Sequence, residues 1–224
     1  MEKYILFLSN IPLFAGIFKQ DMANLLRGAA RVKNYAARDV IIAPGSVPAE
    51  FGIVLEGLAE VSDLDIFGKK AKTEIAGPGR LFAELLVCAG TQNDSLSVSA
   101  QENCTVMFIN YKALLSAPKS AAGDLFLANL LKHVSLYGAE LKNKIEIVSK
   151  PSTRAKISAY LLRQTKLNGG VLRFKIPHDR AAMAEYLCVN RAALSRELAA
   201  LRAEGIIKYR KNNFEISDVR KLTS

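Results

Sequence analysis

In the segment from Asn190 to Gly205, which reads NRAALSRELAALRAEG, a helical conformation would place the positive and the negative side chains on different sides. At about 100° per residue, one side holds only arginines and small residues. These residues are Arg191, Ser195, Ala199 and Arg202, flanked by Ala192 and Arg196. Glu197 and Glu204 fall on a different side, and an ordinary solvated face would not explain that exclusion. Such a face suits a polyanion, because Arg binds guanine edges or phosphates and small side chains allow close approach.

Turn signals on both sides of this segment predict a helix-turn-helix. We predict a helix over 179–187, a turn over Cys188–Asn190, a helix over 191–204 and a hairpin with its turn at Asn212–Asn213. Upstream, Pro151 breaks a long helix and Ser152 is predicted to cap the next one. A helix, a tight turn, a second helix and a β-wing are the parts of a winged helix-turn-helix.

The positive charge of the chain is concentrated in its C-terminal third. Residues 151–224 contain 15 Lys and Arg against 6 Asp and Glu, whereas residues 1–150 contain 16 against 15. The formal net charge of the whole chain is +10. This asymmetry predicts a nucleic-acid-binding module joined to a near-neutral partner domain.

Between about residues 31 and 110, short apolar or alternating runs are separated by turn signals. Runs such as FGIVLEGLAEV, SLSVSA and CTVMFI show the period of two that is typical of strands. Their close spacing predicts an antiparallel barrel or roll. The preceding segment, LSNIPLFAGIFKQDMANLLRGA, is predicted to form short helices.

From Ser120 to Ser149, apolar residues recur at alternating four- and three-residue steps, the pattern of a coiled-coil seam. The predicted seam consists of Leu127, Leu131, Val134, Gly138, Leu141, Ile145 and Val148. It predicts a homodimer joined through a long helix. The alternative is a core helix that lies against its own roll.

Several other classes of protein are disfavoured. The cysteines, Cys88, Cys104 and Cys188, are widely spaced and odd in number, which argues against a disulfide framework and favours a reducing cytoplasm. No apolar run approaches the ~20 residues of a membrane span, so no membrane partner is expected. Two distant histidines and the lack of a phosphate loop or nucleophile motif argue against an enzyme.

The chain resembles the Crp/Fnr family of bacterial transcription regulators over nearly its whole length. The resemblance rests on IPLF near the start, PG at 44–45, EG at 56–57, PGRLFAELLV, the long helix, and NRAALSREL followed by EGII. It implies an α+β fold with an N-terminal antiparallel β-roll of the cyclic-nucleotide-binding type, a long dimerisation helix and a C-terminal winged helix-turn-helix. The implied domains are an effector-sensing roll over 1–120, the dimerisation helix over 121–150 and a DNA-binding domain over 151–224.

The resemblance also implies roles for individual residues. Arg191, Ser195 and Arg196 match residues that contact bases and phosphates of double-stranded DNA, and Arg180 matches a phosphate contact. Asp179 fits the N-cap of the first helix. The resemblance also implies RNA polymerase as a partner, because members of the family contact it at promoters.

Two positions depart from the family pattern. Ala192 stands where many members have Glu, so it cannot accept a hydrogen bond from cytosine but can touch a thymine methyl group. Cys188 stands where the inter-helix turn usually has Gly.

The effector-binding cassette of the family reads F-G-E followed by R-[ST]-A. Here the matching residues are Phe82, Glu84, Leu85, Asp94 and Ser95. Asp94 stands at the position of the phosphate-binding Arg, and its charge would repel a cyclic phosphate, which argues against cyclic AMP. Glu84 is either a ligand-binding residue or a solvated turn residue.

Other sensing chemistries are also disfavoured. Three scattered cysteines do not suit an iron–sulfur cluster, and Cys88 and Cys104 are expected to be small buried residues. His133 is expected to be a polar surface residue rather than a haem ligand. A small organic ligand between roll and long helix, or no ligand at all, remains open.

Together these observations predict a homodimeric regulator that binds a palindromic promoter site and responds to an effector other than cyclic AMP. One alternative is a cyclic-nucleotide-dependent regulator with an atypical cassette. The other is a non-specific basic DNA-binding protein that uses the roll to oligomerise.

Overall fold

The computed structural model describes residues 2–65, 67–116 and 118–223. The chain divides into two compact units, Met1–Leu136 and Tyr137–Ser224. The predicted domain limits of 1–120, 121–150 and 151–224 stay a prediction. None of the described helices is long and apolar enough to cross a membrane.

The N-terminal unit combines short helices with eight strands in its described residues. Its helices are α1 (Ile5–Leu8), α2 (Lys19–Leu26), α3 (Glu84–Ala89) and α4 (Tyr111–Ser116), with 3-10 turns at Glu2–Tyr4 and Pro12–Phe14. Its strands are β1 (Ala30–Tyr35), β2 (Val40–Ile42), β3 (Phe51–Glu56), β4 (Ala59–Leu64), β5 (Lys70–Ala76), β6 (Leu81–Phe82), β7 (Leu96–Ala100) and β8 (Cys104–Ile109).

Within the described ranges, the strands form one four-stranded antiparallel sheet in the order β1-β8-β3-β6 and a second in the order β2-β7-β4-β5. Alternate residues of β3 and β8 belong to different apolar clusters. Val54 and Val106 pack in the cluster that includes residues of the second sheet, whereas Ile53 and Met107 pack with residues of the helices. The antiparallel roll is therefore confirmed, and β3 and β8 are covered on both faces.

A single helix, α5 (Ala121–Val148), runs from the N-terminal unit into the C-terminal unit over 28 residues. Its first half belongs to the core of the N-terminal unit, because Phe126 and Leu130 are buried there. Its last turn belongs to the core of the C-terminal unit, where Ile147 is buried. The helix predicted between Ser120 and Ser149 is confirmed.

The C-terminal unit contains the predicted winged helix-turn-helix. Its elements are α6 (Thr153–Leu167), β9 (Arg173–Lys175), α7 (Arg180–Tyr186), α8 (Arg191–Ala203), β10 (Ile207–Arg210), β11 (Asn213–Ile216) and α9 (Val219–Thr223). In the described part of this unit, the strands pair antiparallel in the order β10-β11-β9. Ser152 caps α6, since its Oγ accepts from the Ala155 amide at 3.1 Å.

One predicted turn is wrong. The wing turns at Lys211 and Asn212, because Asn213 already pairs with Arg210 in the antiparallel ladder. Lys211 adopts a left-handed φ of 53°, a conformation that asparagine tolerates better than lysine. The terminal helix α9 was not predicted.

Candidate functional site

Side-chain caps and a buried leucine row position the two helices of the helix-turn-helix. Asp179 Oδ1 accepts from the Ala182 amide at 2.9 Å, and Asn190 Oδ1 accepts from the Ala192 amide at 2.8 Å. These bonds satisfy amides that a helix N-terminus otherwise leaves unpaired. Leu194, Leu198 and Leu201 of α8 are fully buried in the core of the C-terminal unit. The opposite side of α8 therefore faces outward.

The turn between α7 and α8 keeps a backbone conformation that favours glycine. Cys188 has a φ of 51°, in the left-handed region. Replacement of the family's glycine by cysteine thus leaves the left-handed turn in place, and the thiol is exposed.

The outward side of α8 is cationic. The exposed residues are Arg191, Ala192, Ser195, Arg196, Ala199, Arg202 and Ala203. Glu197 is half-buried, and Glu204 is held by the guanidinium of Arg154, whose Nη1 donates to it at 2.7 Å. Among the described residues, no hydrogen bond or ion pair involves the guanidinium of Arg191 or Arg196. Both are available for an external anion. We call this surface the α8 face.

Arg180 lies in a different environment from the residues of the α8 face. Its guanidinium lies 4.9 Å from the ring centroid of Tyr209 and 5.1 Å from that of Phe214, and its Nη2 donates to the Lys211 carbonyl at 3.1 Å. Burial lowers the pKa of Arg180. The predicted phosphate contact is thus also packed against the wing, an arrangement that the sequence did not indicate.

The wing strand β10 is held to both helices through one aromatic ring. Tyr209 stacks on Phe214 at 5.4 Å and lies within 5.6 Å of the guanidinium of Arg202, in addition to that of Arg180. At the wing turn, Arg210 and Lys211 are exposed. The wing therefore adds cationic side chains beside α7 and α8.

A partly buried polar pair, Tyr160 and His178, lies at the start of α7. The Tyr160 hydroxyl and His178 Nδ1 are hydrogen-bonded at 2.8 Å, and the His178 ring packs 4.9 Å from that of Tyr186. Burial, and then the charge of Lys144, lower the pKa of His178 from 6.5, while Asp179 opposes this shift. Burial also raises the pKa of Tyr160. Both groups are therefore neutral at pH 7.

This pair predicts a pH dependence of stability. Because folding lowers the pKa of His178, the unfolded chain binds the proton more readily, and stability should fall as the pH drops below 6.5. His178→Asn keeps a hydrogen-bonding partner for Tyr160 but does not titrate. Urea denaturation should show that the free energy of unfolding falls more steeply between about pH 7.5 and 5.5 for the wild type than for the variant. Equal slopes would contradict the assignment.

The effector cassette lies in the N-terminal unit. Phe82 is buried edge-on against Phe108, and Leu85 and Ser95 are half-buried. Glu84 is buried rather than a solvated turn residue, while Asp94 is exposed. Ala83, at the position of the cassette glycine, has a left-handed φ of 63°. Ala83 thus adopts a backbone conformation that favours glycine.

Glu84 has a partner on the long helix. Its Oε1 lies 3.2 Å from Nε2 of His133, a contact between residues 49 positions apart. His133 is therefore not a free surface residue, contrary to the sequence-based expectation. Cys104 is buried and Cys88 half-buried, and burial raises the pKa of both thiols.

The residues of the predicted seam are largely accessible on the single chain. Leu131 is 69% exposed, Ile145 62% and Leu141 43%, and Gly138 is exposed as well. Leu127, Val134 and Val148 are half-buried. The alternative of a helix that buries this stripe against its own roll does not account for the exposure of Leu131.

Comparison with known proteins identifies two regions. The cyclic nucleotide-binding domain profile matches residues 32–120, and the Crp-like helix-turn-helix domain profile matches residues 155–224. No curated protein sequence gives a significant match.

Solved structures are similar to the chain along most of its length. The catabolite activator protein of Thermus thermophilus aligns with a TM-score of 0.56 and 22% identity, covering 94% of this chain and 96% of that one. A CprK variant complexed with OCPA aligns with a TM-score of 0.61 and 16% identity, covering 90% of this chain and 91% of that one. A CooA variant from Carboxydothermus hydrogenoformans aligns with a TM-score of 0.54 and 17% identity, covering 89% of this chain and 88% of that one.

At these identities the solved structures show only the fold, whereas the two profiles match successive parts of the sequence itself. The roll, the long helix and the winged helix-turn-helix follow one another in the order that the resemblance implied. The chain belongs to the Crp/Fnr family of transcription regulators.

Proposed function

We propose that the protein is a homodimeric, sequence-specific transcription regulator that acts in the cytoplasm and inserts the α8 face into the major groove of a palindromic promoter site. The observation that carries this proposal is the α8 face itself. Its exposed side chains include three arginines and no carboxylate. A carboxylate at such a position would be repelled by the DNA phosphates, whereas small residues let the helix approach the bases. A non-specific basic protein does not require that arrangement.

The exposed stripe on α5 supports the dimer. Leu131, Leu141 and Ile145 are more than two-fifths exposed, and large apolar side chains repeated in a heptad pattern are stabilised when a second helix covers them. A two-fold dimer presents two α8 helices, which requires an inverted repeat with half-sites about 34 Å apart. Contact with RNA polymerase follows the same family resemblance.

The effector that we propose is not a cyclic nucleotide, although the roll matches the profile of that domain. Two observations support this proposal. Asp94 brings a negative charge to the position of the phosphate-binding Arg, and the Glu84 carboxylate is already paired with His133. The phosphate of a cyclic nucleotide would be repelled by Asp94, and its ribose would have to compete with His133 for Glu84.

Selection from a random double-stranded DNA library, followed by affinity measurements at two salt concentrations, tests the DNA-binding proposal. Arg196→Ala should lose about 1–3 kcal/mol and relax specificity at one base pair, whereas Arg191→Ala should weaken all sequences alike and reduce the salt slope by about one unit. Ala192→Glu should shift preference toward cytosine at one position.

The matched control is Arg173→Ala. Arg173 is exposed on β9, at the edge of the wing sheet farthest from β10, and should not affect sequence preference. If all three α8 variants keep the wild-type affinity and preference, the α8 face does not bind DNA.

A further inference from the structure

A groove of about 490 Å³ crosses the C-terminal unit between the last turns of α5, the length of α6, and α9. Its apolar lining includes Ile147, Leu162 and Leu222, of which Ile147 and Leu222 are almost fully buried. Small residues on α6, Ala155 and Ala159, leave the space open. A volume of this size falls within the range of small-molecule sites.

Arg163 lines this groove and has one unsatisfied donor. Its side chain is only 13% exposed, and its Nη2 donates to Glu140 at 2.7 Å. Its Nη1 is buried and has no hydrogen-bond partner among the described residues. Buried donors are nearly always paired in native proteins, so the guanidinium of Arg163 has the capacity to bind a further acceptor.

The rim of the groove is cationic. Five Lys or Arg side chains line it against one carboxylate, that of Glu146. Arg154 and Arg163 are paired with Glu204 and Glu140, but Lys150 and Lys166 alone still outnumber the single carboxylate of Glu146. An anion is therefore favoured over a neutral or cationic ligand.

We propose that this groove binds a small organic anion with an apolar body, whose carboxylate or phosphate group pairs with the guanidinium of Arg163. The buried apolar lining argues against a DNA phosphate, which has no apolar group to cover it. The site is independent of the α8 face.

The groove stays open in the proposed dimer. Asn143 and Ile147 line it from α5. At about 100° per residue, these positions lie on the side of the helix opposite Leu141 and Ile145. A partner helix packed on the seam therefore does not cover the groove.

Calorimetry on the full-length protein tests the proposal with matched probes: 4-phenylbutyrate, its neutral amide, phenyl phosphate and inorganic phosphate. The two amphipathic anions should bind, and the amide and inorganic phosphate should bind at least about tenfold more weakly. Arg163→Gln should weaken binding of the two anions at least about tenfold and leave the affinity for the amide unchanged. Ala159→Met fills the groove without a change of charge and should weaken anions and amide alike.

Arg173→Gln removes an exposed charge from the same unit and should bind the probes like the wild type. Loss of anion binding in Arg191→Gln but not in Arg163→Gln would place the anion on the α8 face and overturn the proposal. No binding up to about 10 mM, equal affinity for acid and amide, or unchanged affinity in both groove variants would also overturn it. DNA binding of Arg163→Gln, measured in parallel, separates failure of this site from failure of the proposed function.

Discussion

Replacement of both Leu141 and Ile145 by glutamate is expected to convert the protein from a dimer into a monomer. Both side chains are exposed on the single chain, so the substitutions cost little in the folded monomer. In a two-fold dimer they would bury four carboxylates in an apolar seam. The dissociation constant should rise at least about a thousandfold, or roughly 4 kcal/mol.

Sedimentation equilibrium measures this change directly. Ala139→Glu is the matched control, because Ala139 is exposed on the same helix at a position opposite the seam. It adds a carboxylate without placing it in the interface and should remain dimeric. A double seam variant with the wild-type dissociation constant would show that the copies associate elsewhere, or not at all.

Gly57→Ala is expected to destabilise the roll strongly. Gly57 has a φ of 76°, and a Cβ atom there would lie 2.1 Å from the carbonyl oxygen of Asn103. The left-handed backbone costs about 1–2 kcal/mol for a non-glycine residue, and a backbone carbonyl has little room to move. The N-terminal unit should lose roughly 3 kcal/mol or more of stability.

Gly45→Ala separates the two causes. Gly45 has almost the same φ, 77°, but apart from Gly45 and its two chain neighbours no heavy atom of the described chain lies within 4 Å of a Cβ at that position. It should lose only the backbone contribution, about 1 kcal/mol. Hydrogen exchange of roll amides reports both losses, and equal effects of the two variants would contradict a clash at Asn103.

The architecture was largely predictable because its determinants are local. The period of two in the roll, the break at Pro151 and the caps at Ser152 and Asp179 all act over a few residues. The wing turn was misplaced because the pattern favoured asparagine for a left-handed residue, whereas register with β11 assigns that conformation to Lys211.

The site was predictable only where its chemistry lies on one element. The α8 face follows from helical periodicity and charge, and all six residues predicted for it are exposed. The contacts of Arg180 with the wing and of Glu84 with His133 join residues that are about 30 to 50 positions apart, and no local pattern encodes them. The groove between α5, α6 and α9 could not be predicted for the same reason, since three elements that are distant in the sequence form it.

The stacking of Tyr209 with Arg180, Arg202 and Phe214 also has a thermodynamic consequence. A hairpin that is ordered only in the complex would lose conformational entropy at the moment of binding. Here three neighbours already hold the wing strand against both helices. The enthalpy and entropy of DNA association should therefore reflect the contacts and released counterions alone, without the large opposing contributions of a segment that folds on its target.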